Sequence, residues 1–240
     1  MNKLRVTLRI IILVVVTTVL TILILLFYLF KGRGNPFSCY LRQIWIRLCL
    51  KILGVRVLVE GLQETYPPAL FVGNHRSYFD PIATLHYIKA DPVAKMEVKS
   101  WPVIGQGADA TGVLFVKRDD PESRKEIRNQ LAENIKNGRS ILIYPEGTTT
   151  DQKETLPFKK GGFEMAATFG FPVIPVAIEY GDISDAWIGN DTFVPHLFRS
   201  FGKRRTTIHL FFGPTLFGTN ADELIVQSRF WIDQKLQQVT

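Results

Sequence analysis

Leu70-Phe71-Val72-Gly73-Asn74-His75-Arg76-Ser77-Tyr78-Phe79-Asp80-Pro81 is the stretch from which the rest of the chain can be read. Residues 70–73 are a short apolar run ending in glycine, the pattern of a buried strand. Pro81 suits the first position of a helix, which puts Asp80 where an N-cap belongs. The order is therefore strand, tight turn, helix. A histidine and a carboxylate stand on that one turn, and a neutral imidazole oriented by a carboxylate is a general base suited to pH 7. The same residues also read as a helix cap beside an ordinary loop histidine, so the surrounding chain has to decide.

From Gly54 onward, short apolar runs alternate with longer periodic stretches. The strand candidates are 55–59, 69–73, 93–97, 113–116, 141–144, 173–179 and 208–212. The helix candidates are 81–89, 101–108, 121–137, 162–169 and 221–238. Asp119 and Asp120 before the third of these and Gly138 after it are good terminus signals. The alternation predicts an α/β fold, a mixed but mostly parallel sheet of about seven strands with helices on both faces. Residues 181–205 are less regular and read as a long surface excursion.

Residues 10–30 carry no charge and are rich in Ile, Leu and Val. As a helix this run spans about 32 Å, enough to cross a hydrocarbon core of about 30 Å. It is longer than the ~7–15 apolar residues of a signal peptide and has no small-residue cleavage site after it. It reads as an uncleaved transmembrane helix. Residues 37–53 predict a second helix bearing Trp45 and a polar stripe of Gln43, Arg47 and Lys51, suited to the headgroup region. The alternative for it is an ordinary domain helix docked on the core. The expected organisation is thus a membrane anchor over 1–53 and a folded domain over 54–240.

Through residue 60 there are nine Lys or Arg against one acid, a balance of +8; the remainder carries twenty basic and twenty-one acidic residues, a balance of −1. The basic character is local to the membrane-proximal part, which argues against a nucleic-acid protein. The larger basic cluster follows the apolar run, so the positive-inside rule puts the domain in the cytoplasm. Cys39 and Cys49 are ten residues apart on one helix, about 15 Å, too far for a disulfide. Neither has a ligand-like neighbour, and no metal site is expected.

Open sheets collect function where strands run out into loops. Three further strand ends here carry related residues: Lys117-Arg118 after 112–116, Tyr144-Pro145-Glu146-Gly147-Thr148-Thr149-Thr150 after 140–143, and the apolar strand around Pro175. Singly, each also reads as a solvated pair, a turn and a strand edge. In this order and spacing the four blocks resemble the lysophospholipid acyltransferases, the family of 1-acylglycerol-3-phosphate acyltransferases. That family is marked by N-H-x-x-x-x-D, a strand ending in arginine, F-P-E-G-T-R-S and a proline-containing strand. The likeness runs over about residues 55–215, and 93–97 resembles the family's lysine-bearing strand.

The resemblance implies an acyltransferase domain in which His75 takes the proton from a lysolipid hydroxyl and Asp80 holds the imidazole tautomer. It implies that Arg118 and Lys95 bind phosphate and that Glu146 and the Gly147 amide position the acceptor, with Asn74 and Thr148 also in the binding set. No cofactor is implied. The co-substrate is acyl-CoA or acyl-carrier protein, and the remaining partners are the lysophospholipid acceptor and an anionic membrane surface. With no G-x-S-x-G elbow and no cysteine in the domain, direct attack on the thioester is expected. The expected location is a bacterial inner membrane, domain on the cytoplasmic face.

Where the family has Arg after E-G-T, this chain has Thr149, and Lys159 or Lys160 is the candidate replacement. Lysophosphatidic acid, giving phosphatidic acid, is the default acceptor. Relatives with E-G-T-T resemble acyltransferases of lyso-ornithine lipid or zwitterionic lysophospholipids, and residues 186–191 with Pro195-His196-Leu197 look most like the ornithine-lipid branch. Two other classes stand beside these: a non-catalytic lipid-binding membrane protein that keeps the fold, and a thioesterase.

Overall fold

The computed structural model describes residues 3–189 and 191–239. Seven strands form one sheet: β1 (Val55–Glu60), β2 (Leu70–Gly73), β3 (Ala90–Lys95), β4 (Leu114–Val116), β5 (Ser140–Ile143), β6 (Val173–Tyr180) and β7 (Thr206–Phe212). Their order across the sheet is β1-β7-β6-β2-β5-β3-β4. Every pairing is parallel except β6 with β7. The mixed, mostly parallel seven-stranded sheet expected from the sequence is thus present. Because β6, β2, β5, β3 and β4 run the same way, their C-terminal ends share one rim.

β3 begins three residues before its expected start, and Pro92 supplies the reason. The strand pairs with β5 up to Pro92↔Leu142 and with β4 from Val93↔Leu114. A proline has no N–H to give a ladder, so it is accommodated where the strand changes partner.

Helices α1 (Lys3–Lys31) and α2 (Pro36–Leu53) come first, followed by α3 (Asp80–Leu85), α4 (Met96–Lys99) and α5 (Ile104–Ala110). Then come α6 (Pro121–Lys136), α7 (Gly161–Phe169), α8 (Phe193–Phe201) and α9 (Ala221–Gln238). One face of the sheet is covered by α6, α7 and α9, whose Leu131, Phe163 and Ile232 pack with Leu70 and Ile141. The other is covered by α2, α3 and the end of α8, through Leu50, Phe79, Ala83 and Phe201 on Phe71 and Leu142.

The division at residue 53 is amended by this packing. Helix α2 starts where Asn35 caps it, accepting from the Ser38 N–H at 2.9 Å, and it stops at Gly54 in the left-handed conformation. Its Ile46, Leu50 and Leu53 belong to the same core as Phe71 and Leu142, so it is a docked domain helix. The apolar face that suggested a headgroup helix is covered by the sheet, while Arg47 and Lys51 remain outside.

Helix α1 is long and apolar enough to cross a membrane. It also lies along the domain. Val6, Thr17, Thr21 and Ile24 are buried, Trp45 Nε1 donates to Thr17 Oγ1 at 2.9 Å, and Arg9 donates to the carbonyls of Phe201 and Lys203. From residue 6 to residue 24 an α-helix advances about 27 Å. The outer side is apolar and open, with Leu4, Ile11, Val15, Val19, Leu29 and Phe30 exposed.

The excursion at 181–205 contains α8, which the sequence reading left irregular. Pro195 stands at its third position, inside the first turn where a missing N–H costs nothing. Asn190, in the stretch compared above with the ornithine-lipid branch, lies outside the described residues.

Candidate active site

Adjacent parallel strands place the chemistry along the rim in strand order: Glu179 and Tyr180 on β6, His75 and Asp80 after β2, Glu146 and Gly147 after β5, Lys95 on β3, Arg118 after β4. Strands lie about 4.8 Å apart, so β2 to β4 spans about 14 Å.

Asp80 opens α3 from a fully buried position, and its carboxylate is satisfied four times over. Oδ2 faces His75 Nδ1 at 2.7 Å and accepts from the N–H groups of Arg76 at 2.6 Å and Ser77 at 2.9 Å. Oδ1 accepts from the Tyr180 hydroxyl at 2.9 Å. The carboxylate is an acceptor only, so His75 Nδ1 carries the hydrogen and Nε2 is left with its lone pair. The His75 side chain keeps 18% of its surface open while Asp80 keeps none. A buried anchor and a reachable imidazole edge are what a positioned base requires. The N-cap is Phe79, without a side-chain hydrogen bond, and Asp80 is the first helical residue; its carboxylate turns back to the Arg76 and Ser77 N–H groups of the preceding turn, which corrects the N-cap reading.

The imidazole is held on its face as well. Tyr144 stacks on it with ring centroids 4.4 Å apart and planes 16° from parallel. That ring passes over Gly73, where a Cβ would stand 2.9 Å from Tyr144 Cε1, so the glycine ending β2 gives the aromatic its room. Tyr144 and Tyr180 were not singled out as site residues by the sequence reading. Tyr144 sits where the family motif has Phe, and Tyr180 ends an apolar strand, 100 residues from the carboxylate it serves.

Arg76 is the largest fully buried side chain of the turn. It donates to Glu179 Oε2 and to the Thr150 carbonyl, each at 2.8 Å. Arg76 therefore ties β6 and the 144–150 loop to the His75–Asp80 turn. Tyr78 ties in α8: its hydroxyl meets His196 Nδ1 at 3.1 Å. His196 Nε2 faces the carbonyls of Asp185 and Ala186 at 3.1 and 3.0 Å and so carries the hydrogen, making Tyr78 the donor. Burial lowers the pKa of His196, which favours this neutral form.

Glu146 accepts from the His75 N–H at 3.0 Å through one oxygen and from the Leu156 N–H at 3.2 Å through the other. Burial pushes its carboxyl up to about 7, against the pull of those two N–H groups. A folded-state pKa above the unfolded value means the folded state binds the proton more tightly, so stability is lost as pH rises from about 4.5 to 7. Glu146→Gln is expected to flatten this slope. Thermal unfolding at pH 5 and pH 8 checks it, with a smaller difference between the two melting temperatures in the variant than in the wild type.

Gly147 adopts φ +75°, which suits glycine, and Lys159 Nζ lies 2.7 Å from where a Cβ would stand. Arg118 donates to the Gly147 carbonyl, and burial lowers its pKa against the nearby Glu97 and Asp119. The structure thus gathers Arg118, Lys159 and Gly147. Lys95 is exposed at the end of β3, and Thr148 is exposed on the loop. Asn74 does not join them. Its amide bonds both to the Ile178 carbonyl at 2.9 Å and from the Ile178 N–H at 2.8 Å, fully buried. It fastens β2's exit to β6 and is a structural residue of the turn, which corrects its expected place in the binding set.

Residues 56–179 match the family model described as Acyltransferase, and the chain belongs to that family. It is 34% identical over 188 residues to a lyso-ornithine lipid O-acyltransferase of Pseudomonas aeruginosa, covering 73% of this chain and 69% of that one. It is 28% identical over 219 residues to the chloroplastic 1-acyl-sn-glycerol-3-phosphate acyltransferase BAT2 of Brassica napus, covering 88% and 60%. Its fold is that of the 1-acyl-sn-glycerophosphate acyltransferase PlsC of Thermotoga maritima, with a TM-score of 0.59 at 22% identity over 96% of this chain and 97% of that one. The chain is an acyltransferase, and its apolar α1 is consistent with work at a membrane.

Proposed function

We propose that the chain transfers a fatty acyl group from a thioester, acyl-CoA or acyl-carrier protein, to the free hydroxyl of a lysophospholipid, with His75 as general base. The observation that carries this is the 2.7 Å contact of His75 Nδ1 with a fully buried Asp80, which leaves Nε2 as an open acceptor. The acceptor oxygen attacks the thioester carbonyl as Nε2 takes its proton. The C–O bond forms, the C–S bond breaks, and the departing thiolate receives the proton from the imidazolium. Asp80 stabilises the transient charge on the ring. The thioester is consumed as co-substrate, and no prosthetic group enters the step.

The acceptor read first is lysophosphatidic acid. Arg118 and Lys159 flank Gly147, and Lys95 stands on the strand between, so cations are at hand for a phosphomonoester. Lyso-ornithine lipid is the second reading, favoured by Thr149 in place of arginine and by the name of the Pseudomonas relative. An acceptor screen with labelled acyl-CoA, including a control without acceptor, tests both. Thioester cleavage without acceptor would mark a hydrolase, and the absence of turnover with every acceptor would sink the catalytic reading.

Thr149→Arg separates the two acceptors. A charge-assisted hydrogen bond is worth about 1.5–3 kcal/mol, or roughly ten- to a hundredfold in binding. The variant is expected to lower the KM for lysophosphatidic acid by about tenfold and to leave a lyso-ornithine lipid unimproved. Steady-state kinetics with both acceptors in mixed micelles reads this out. An unchanged KM for an already preferred lysophosphatidic acid would mean that Lys159 supplies the charge.

Helix α1 supports a location at the membrane. With about 27 Å of its length fastened to the domain, it carries the domain with it to the membrane. Its outer apolar side takes the lipid, and the catalytic rim is held beside the bilayer, where a lysolipid is.

A further inference from the structure

The sheet separates two layers of different character. Helices α1, α2, α3 and α8 lie on one side, with α1 turning its apolar surface outward; α6, α7 and α9 lie on the other.

On that second side a track of cations leaves the Glu146–Gly147 turn. Arg118 donates to the Gly147 carbonyl, and Arg124 donates to the Arg118 carbonyl at 2.9 Å. Lys159 lies over Gly147, and Arg128 Cδ lies 3.4 Å from where a Cβ on Gly161 would stand. At about 100° per residue, Arg124 and Arg128 lie roughly 40° apart on α6, while Glu122, Glu126 and Glu133 fall on the opposite side of the helix. Among the described residues, none of Arg118, Arg124, Arg128 and Lys159 takes part in an ion pair. Glycines at 147 and 161 leave the backbone bare beneath Lys159 and Arg128. Cations converging on the rim along the α6–α7 seam fit a polyanion, not a neutral chain.

We propose that Arg124 and Arg128 bind the phosphates of coenzyme A, so that the thioester arm runs from the α6–α7 seam past Gly147 to His75. This rests on the acyl-transfer reading above, and it assigns the inner cations Arg118 and Lys159 to the acceptor and the outer pair to the donor. Neither arginine belongs to the catalytic turn, so the two can be reversed in charge without touching the base.

The test uses the full chain in detergent. The double variant Arg124→Glu/Arg128→Glu is expected to raise the KM for an acyl-CoA at least tenfold. It should leave the kinetics with the same acyl group on N-acetylcysteamine, a thioester without phosphates, within about twofold. The KM for the lysolipid should also stay within about twofold. Calorimetry with free coenzyme A should show binding to the wild type that weakens with added salt, and binding to the double variant weaker by tenfold or more. An equal loss with both thioesters, no loss with either, or an absence of coenzyme A binding to the wild type overturns the assignment. A loss confined to acyl-carrier protein, with acyl-CoA unaffected, makes the track a protein-docking surface and equally overturns it. Failure of acyl transfer with every acceptor, together with charge-dependent coenzyme A binding, would remove the reaction but keep the site.

Discussion

His75→Ala is expected to reduce acyl transfer by on the order of 10²–10⁴-fold or more, the range for loss of a positioned general base. The fold should survive. The His75 ring is partly open, and its removal leaves Asp80 with the N–H groups of Arg76 and Ser77 and the Tyr180 hydroxyl as donors. The backbone N–H of residue 75 still reaches Glu146, and its carbonyl still accepts from the Thr150 N–H at 3.0 Å. Initial rates from membranes or detergent, alongside circular dichroism of the same preparation, give the comparison. A folded variant that turns over like the wild type would end the base assignment. Asp80→Asn tests the partner less cleanly, because an amide placed among the Arg76 and Ser77 N–H groups loses turn geometry as well as tautomer control.

The largest effect on stability is expected from Glu179→Leu. Arg76 is fully buried, and among the described residues Glu179, through Oε2 at 2.8 Å, is the ion-pair partner of its guanidinium. Removing one partner of a buried ion pair leaves an uncompensated charge and costs about 3–5 kcal/mol. For a chain of this size that corresponds to a fall of roughly 10 °C in Tm. The double variant Arg76→Met/Glu179→Leu should recover much of the loss, since replacing both partners by apolar side chains is often neutral. Thermal unfolding of the three proteins decides it. A single variant as stable as the wild type would mean that the Thr150 carbonyl alone holds the guanidinium.

Both expectations concern one turn, and only half of that turn was readable from the chain. His75 and Asp80 share a local segment whose strand, glycine and proline signals are sequential, so their approach could be inferred. Tyr180 and Glu179 reach the same spot through β6, a pairing between segments 100 residues apart that no local pattern encodes. Asn74 was misplaced for the opposite reason. A motif position looks chemical, yet its side chain completes the ladder between β2 and β6. The seven strands were legible because buried parallel strands are short continuous apolar runs. The outer character of α2 was not, since an amphipathic face reads alike whether a sheet or a headgroup layer covers it.

The one antiparallel pairing in the sheet has a consequence for how this enzyme can change. Where β6 passes to β7, the chain leaves and re-enters the sheet at the same end, with Tyr180 opposite Ile208. Every other neighbouring connection would have to carry the chain back across the molecule. This one is an enlarged hairpin standing at the rim, tethered by the Tyr78 hydroxyl on His196 and by Arg9 at the end of α8. Such a segment is a cassette: a change in its length leaves every strand with its neighbours in the sheet. Variation within this scaffold has a ready place there, and residues 181–205 are the natural unit to exchange in chimeras.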